Sequence, residues 1–139
     1  MDYKRIEDTI VLRVDKGEET LEQIKNVALK ENIKLANVNG LGATNDFTVC
    51  VYDVVEKKFY DNKFSGPYEI TSLTGSINTM NDEFYCHLHL SAADTKGSVI
   101  GGHLKSATIS ATSEIFIQII NGRVDRFRDE DTGLNLFKF

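Results

Sequence analysis

Residues 84–103 read FYCHLHLSAADTKGSVIGGH, and this stretch holds all three histidines of the chain. Its first half alternates as a β-strand does, since successive side chains of a strand point to opposite faces of a sheet. One face is apolar and suits a core: Phe84, Cys86, Leu88 and Leu90. The opposite face carries Tyr85, His87, His89 and Ser91. The pattern therefore predicts two imidazoles side by side above one face of a sheet.

A turn and a second arm follow this strand. The segment Asp94-Thr95-Lys96-Gly97 has the composition of a turn. Beyond it, the chain runs through Val99 and Ile100 to Gly101-Gly102-His103. If the two arms pair as a hairpin, His103 comes back near the first two histidines.

The three residues His87, His89 and His103 form a candidate metal site. Three neutral imidazoles that converge on one point suit zinc or a similar divalent transition metal. Three protein ligands leave a coordination position open for water or a ligand atom. A second interpretation stays open, in which each histidine is a hydrogen-bonded structural or surface residue. Gly101 and Gly102 favour the metal interpretation slightly, because glycines permit close approach of the backbone.

The chain before this stretch predicts a strand and then one helix. Residues 9–14 are rich in β-branched side chains and predict the strand. Glu18 and Glu19 then place negative charge at the start of a helix that ends by Asn32. Its apolar side chains recur at helical spacing and predict packing against a sheet. These side chains are Leu21, Ile24, Val27 and Ala28.

The rest of the chain reads mainly as strands. They are expected at residues 33–39, 47–55, 59–64, 68–74, 84–93 and 107–120, with a return strand at 123–128. Expected breaks fall at Gly40-Leu41-Gly42, at Ser65-Gly66-Pro67, and at Asn121-Gly122, a strong two-residue hairpin signal. One helix with many meandering strands predicts an α+β fold with a mostly antiparallel sheet.

The length and composition fit one compact domain over residues 1–139. Hydrophobic residues make up 41% of the chain, which is enough for one core. Cys50 and Cys86 have no C-x-x-C spacing and lie in apolar strand patterns, so we expect reduced thiols and a cytoplasmic location. The beginning of the sequence has no apolar signal core, and no apolar run is long enough to cross a membrane.

Two acidic residues stand in otherwise apolar strand patterns. Glu69 and Glu114 could support a metal ligand or transfer a proton, and they are the only general acid or base that the sequence suggests. Each could equally face solvent or a sheet edge, which is the interpretation we favour. The sequence therefore names no catalytic residue.

The ordered motifs resemble the PPC domain, named for plants and prokaryotes. The matching segments are EITSLTG (69–75), HLH (87–89), GSVIGGHL (97–104) and ATSEI (111–115). The His-x-His and Gly-Gly-His pair is the specific part of this likeness, which spans nearly the whole chain. The resemblance implies a compact α+β subunit that assembles as a homotrimer. It also implies that His87, His89 and His103 are the positions where prokaryotic members hold a metal, which we expect to be zinc.

The family is often described as DNA-binding, and in plant members an attached AT-hook with an Arg-Gly-Arg-Pro core makes the contact. This chain contains no such sequence, and its formal net charge is −5. Tight duplex binding needs clustered basic residues. Arg123, Arg126 and Arg128 are close in sequence but lie among acidic residues, so we expect a solvated, self-paired surface. Direct duplex binding is therefore expected to be weak or absent.

Three functional hypotheses remain. The first is a metal-binding homotrimer that takes a small ligand at the open metal position, as a sensor or regulatory module. The second is a metal-dependent hydrolase or lyase that uses a metal-bound water. The third is a DNA-associated protein that acts through a partner. Neither a P-loop nor a dinucleotide-binding fingerprint is present in the sequence.

Overall fold

The chain forms eight strands and one helix in a computed structural model that describes all 139 residues. In chain order they are β1 (Asp2–Ile6), β2 (Thr9–Asp15), α1 (Thr20–Lys30), β3 (Ala36–Asp53), β4 (Lys58–Met80), β5 (Glu83–Ala93), β6 (Val99–Ile119), β7 (Asp125–Arg128) and β8 (Asn135–Lys138). All pairings between these strands are antiparallel. The predicted α+β class with a mostly antiparallel sheet and one main helix is confirmed.

The 21-residue strand β6 organises the main sheet, whose order is β1-β2-β6-β3-β4-β5. The beginning of β6 pairs with β5 and its end pairs with β2, while β3 runs along the other side. The β5–β6 pairing joins the two ends of the β6-β3-β4-β5 series, so this part of the sheet closes on itself. The closing seam is short, from His89 opposite His103 to Ala93 opposite Val99.

Helix α1 begins and ends where the sequence predicts. Glu19 caps it, because its Oε2 accepts a hydrogen bond from the backbone N–H of Glu22 at 2.7 Å. The Oε1 atom of Glu19 also accepts from the N–H of Ala107, which ties the helix start to β6. The fully buried Ile24 and Val27 lie in the core between the helix and the sheet. The predicted packing of the helix is therefore observed.

The expected breaks within the first half of the sheet are wrong. β3 continues through Gly40-Leu41-Gly42, and β4 continues through Ser65-Gly66-Pro67. In both places the register shifts, so a β-bulge absorbs the irregular residues without ending the strand. Pro67 has no cross-strand partner in the pairing with β3, so its missing N–H removes no ladder hydrogen bond.

The expected hairpin at Asn121-Gly122 is also wrong. The end of β6 already has a neighbour on each side, with Gln118 opposite both Thr9 of β2 and Asn37 of β3. A returning strand therefore finds no free edge of β6. Residues 125–128 instead form β7, which pairs with β8 in a separate two-stranded sheet.

Both cysteines are free, as expected, with Cys50 buried and Cys86 half-buried. The 11-residue α1 is the single helix, and it lacks the length and apolar character that a membrane span requires.

Candidate metal centre

The pairing of β5 with β4 fixes the direction of the first two histidines. His87 lies opposite Ser76 and His89 opposite Thr74. On the other face of β5, Leu88 and Leu90 are buried in the core. The two imidazoles therefore stand together outside the core, as the alternation predicts.

Beside His87 the two strands approach each other very closely. Gly75 has a φ of +154°, and a Cβ built on it would lie 1.9 Å from the carbonyl oxygen of His87. That oxygen belongs to the backbone and cannot move without moving β5. Only glycine therefore permits this arrangement.

Asp94 closes the turn that brings the third histidine back. Its Oδ1 accepts hydrogen bonds from the backbone N–H groups of Lys96 and Ser98 at 2.8 and 2.9 Å. Beyond the turn, β6 pairs with β5 and places His103 directly opposite His89. The hairpin predicted from the sequence is present.

The two glycines before His103 allow the chain to pass between two strands. A Cβ on Gly101 would lie 2.5 Å from the carbonyl oxygen of Leu90, and one on Gly102 would lie 2.8 Å from that of Cys50. The close backbone approach inferred from Gly101-Gly102 is therefore observed. It sets the position from which His103 points toward the other histidines.

The three rings form one cluster, with centroids 5.2 Å apart for His87 and His89, 5.0 Å for His87 and His103, and 5.6 Å for His89 and His103. One ligand nitrogen from each ring lies within 4.8 Å of the other two. Two nitrogens on a tetrahedral zinc lie roughly 3.4 Å apart, given bonds of about 2.0–2.1 Å. Small side-chain rotations toward the centre would bring the donors to that spacing, so this set of three nitrogens fits zinc.

The environment keeps two of the rings neutral. Burial, followed by the nearby charges of His103, Arg126 and His89, lowers the pKa of His87 to about 4. Burial and the charges of His89 and Lys105 also lower the pKa of His103. A metal binds the neutral imidazole, so these shifts favour metal over proton at neutral pH.

Two clefts meet at the histidine cluster. The β4-side cleft includes Thr74, Gly75 and Ser76, and the β3-side cleft includes Cys50, Tyr52 and Phe59. Both clefts are lined by His87, His89, Arg126 and Leu136. His103 faces the β3-side cleft, which has a volume of about 480 Å³. A small molecule could thus reach the histidines from this side.

The expectation of a solvated arginine cluster is correct for Arg123 and Arg128, which are exposed, and wrong for Arg126. Arg123 is half-exposed and pairs with Asp82 and Asp125. Arg126 is only 7% exposed, since β7 lays it between the rings of Tyr85 and Phe137. The position of Arg126 beside the histidines was not predicted, because no pattern in the sequence indicates that β8 pairs with β7 and places Phe137 opposite Arg126. The one usable signal was Tyr85, an aromatic partner for a cation on the histidine face of β5.

Cys50 is a second site residue that the sequence analysis did not assign. It lies opposite His103 in the β3–β6 pairing and lines the β3-side cleft. Burial raises the pKa of its thiol, so it stays protonated at neutral pH.

The two carboxylates suggested by the sequence lie elsewhere. Glu69 is exposed and paired with Ala93 at the turn end of β5, and Glu114 is exposed and paired with Arg13 of β2. Neither residue lines the two clefts at the histidines. The structural interpretation favoured for both residues agrees with this placement.

The fold and the histidine cluster match a known class of protein. The chain matches the Plants and Prokaryotes Conserved domain, abbreviated PCC or PPC, over residues 1–121, and it belongs to this family. The family resemblance found in the sequence is therefore confirmed. None of the curated proteins compared with the chain matches it.

Solved structures similar to the chain cover nearly all of it. A protein from Bacteroides thetaiotaomicron, provisionally described as DNA-binding, has a TM-score of 0.96 at 28% identity, covering 99% of this chain and 96% of its own. A metal-containing protein from Archaeoglobus fulgidus has a TM-score of 0.88 at 27% identity, covering 100% and 99%. A plant- and prokaryote-conserved protein from Pyrococcus horikoshii has a TM-score of 0.86 at 28% identity, covering 99% and 94%.

Proposed function

We propose that the protein is a stand-alone PCC-domain protein that holds zinc, or a similar divalent transition metal, on His87, His89 and His103. Such a metal would leave a coordination position free, and all three histidines line the β3-side cleft. A small molecule binds there, and the protein acts as a ligand-binding or regulatory module.

One observation carries this proposal: three imidazole nitrogens from two paired strands lie within 4.8 Å of one another. Three features of the backbone bring the histidines together. They are the close approach at Gly75, the turn at Asp94 and the glycines before His103. A set of unrelated surface histidines would not need such support. The similarity to a metal-containing protein from Archaeoglobus fulgidus is consistent with it.

When bound, zinc would supply a Lewis acid and an open ligand position. The chain itself supplies the three imidazole nitrogens, a cleft with aromatic walls and the cation of Arg126. The linings of the two clefts include no Asp or Glu. Because a metal hydrolase or lyase usually needs a nearby general acid or base, ligand binding fits the lining better.

The first prediction tests the metal site by calorimetric titration of zinc into metal-free protein at pH 7.5. We expect His89→Ala to lower zinc affinity by at least about a hundredfold, since one of three ligands is lost. His89 is exposed, so the variant should keep its fold. Thr74→Ala is the matched control, because Thr74 is exposed, lies opposite His89 and offers no strong zinc ligand. Equal zinc affinity of wild type and His89→Ala would contradict the proposal.

We also propose that the protein assembles as a homotrimer in the cytoplasm. The tip of the β3–β4 hairpin supports assembly, because it exposes a group of large apolar side chains that a partner would cover. They are Val54, Val55 and Tyr60. The free thiols of Cys50 and Cys86 support a reducing compartment.

The second prediction concerns this assembly. Light scattering should give three times the 15.6 kDa chain mass. Val55→Glu, at the most exposed of these apolar positions, should shift the protein toward smaller species, whereas Lys16→Glu on another exposed surface should not. A monomer mass for wild type over a wide concentration range would rule out the trimer.

A further inference from the structure

Arg126 is a nearly buried cation without an acidic partner. Its Nε donates to the side-chain oxygen of Asn78 at 3.1 Å, and its Nη1 donates to the carbonyl oxygen of Asn135 at 2.6 Å. Both acceptors are neutral, and Arg126 forms no salt bridge with any acidic residue of the chain. Burying an uncompensated charge is costly, so a partner anion would stabilise this arrangement.

The remaining nitrogen of the guanidinium is free to meet such an anion. Nη2 takes part in none of the hydrogen bonds of the chain, and every fully buried polar side-chain atom has a partner. Nη2 therefore keeps contact with solvent. Arg126 lines both clefts together with His87 and His89, so its small exposed surface borders the space beside the histidines.

The guanidinium is held in place before any ligand arrives. Its centre lies 4.7 Å from the ring centroid of Tyr85 and 4.2 Å from that of Phe137. The two rings and the two hydrogen bonds fix its plane, so little conformational entropy remains to be lost on binding. The two N–H groups of Nη2 have no acceptor within the chain.

We infer that the cleft takes a small organic anion whose carboxylate or phosphate binds Nη2 of Arg126 beside the three histidines. The β3-side cleft indicates that the rest of the ligand is apolar or aromatic. Its wall includes Tyr52, Phe59 and Leu134, which would pack against such a group. An aromatic carboxylate combines both features. The inference deepens the proposed function and rests on it for the histidine site.

The test measures the binding of benzoate and of benzamide, which share a shape and differ in charge. In zinc-loaded wild type, benzoate should bind at least about tenfold more tightly than benzamide, because a charge-assisted hydrogen bond is the stronger kind. Arg126→Gln should lower this preference severalfold and keep zinc affinity, and any remainder would come from zinc and from the exposed Arg128 of the same cleft. Arg123→Gln is the matched control, since Arg123 pairs with Asp82 and Asp125 and lines neither cleft, and it should bind benzoate as wild type does. An unchanged benzoate preference in folded Arg126→Gln would overturn the inference.

A second measurement separates Arg126 from the metal and does not depend on the folding of a variant. In metal-free wild type, where zinc cannot attract the carboxylate, benzoate should shift the NMR signals of the Arg126 guanidinium and benzamide should not. This result, together with failure of wild type to bind zinc, would contradict the metal proposal and leave the anion site standing. Absence of any benzoate-specific shift at Arg126 would overturn the anion site even if zinc binds tightly.

Discussion

At the scale of single residues, the histidine cluster is sensitive to pH because His87 is partly buried. Its pKa of about 4 in the native chain lies well below the value near 6.5 expected for unfolded histidine. Well above pH 6.5 both states are neutral and His87 adds no pH dependence. Between pH 6.5 and about 4 the unfolded state binds a proton that the native state does not, so the metal-free protein should lose stability as pH falls.

This third prediction is measured by urea unfolding of metal-free protein at several pH values. His87→Gln should flatten the loss of stability between pH 6.5 and 4. The other groups that titrate in this range, the carboxylates and His103, are present in both proteins, so the difference between the two curves reports the loss of His87. A wild-type curve that stays parallel to that of His87→Gln would contradict the assigned pKa.

Gly75 provides a fourth prediction, also at the residue scale. Gly75→Ala should destabilise the fold by about 1–3 kcal/mol, since the new Cβ would collide with the His87 carbonyl, and it should weaken zinc binding by moving His87. Gly66→Ala is the matched control, because Gly66 also has a positive φ of +120° but nothing within 4 Å of its added Cβ. Chemical denaturation compares the two. If both variants lost equal stability, backbone strain alone would account for the change, and the close approach at Gly75 would have no separate role.

At the scale of elements, the sequence predicted those parts of the fold that depend on local patterns. Periodicity and turn composition predicted helix α1, strand β5 and the turn at Asp94. The strand and the turn were enough to predict that the three histidines come together. The errors arose where a neighbouring strand decided the outcome. Pro67 lies in a bulge, and Asn121-Gly122 follows a strand whose two edges are occupied. Arg126 was misread for the same reason, since its burial depends on β8.

At the scale of the whole molecule, the negative net charge argues against direct binding of duplex DNA. The net charge is −5, and several basic side chains are already paired with carboxylates. These pairs are Arg5 with Glu31, Arg13 with Asp15, Lys63 with Asp46, Lys105 with Asp61, and Arg123 with Asp82. The 21 Asp and Glu residues also outnumber the 16 Lys and Arg residues, so the chain as a whole repels phosphates.

The fifth prediction follows from this charge distribution. Fluorescence anisotropy with a labelled duplex at about 0.15 M salt should show no saturable complex below micromolar protein, and any weak binding at low salt should vanish as salt is raised. Metal-loaded and metal-free protein should behave alike. A tight, sequence-specific complex at physiological salt would show that assembly creates a basic surface that one chain lacks.

The short pairing between β5 and β6, which closes the sheet, determines where local unfolding would begin. Only five cross-strand pairs make the seam, and His89 opposite His103 is the last of them. A metal held by both residues would hold together the end of the shortest pairing in the closed part of the sheet. Removing the metal should let the β5–β6 pairing open from that end, while the longer β3–β6 and β3–β4 pairings keep their hydrogen bonds. Backbone amides near Leu90 and Gly102 would then exchange hydrogen with solvent sooner than those deep in β3, so metal occupancy would set where the sheet first opens.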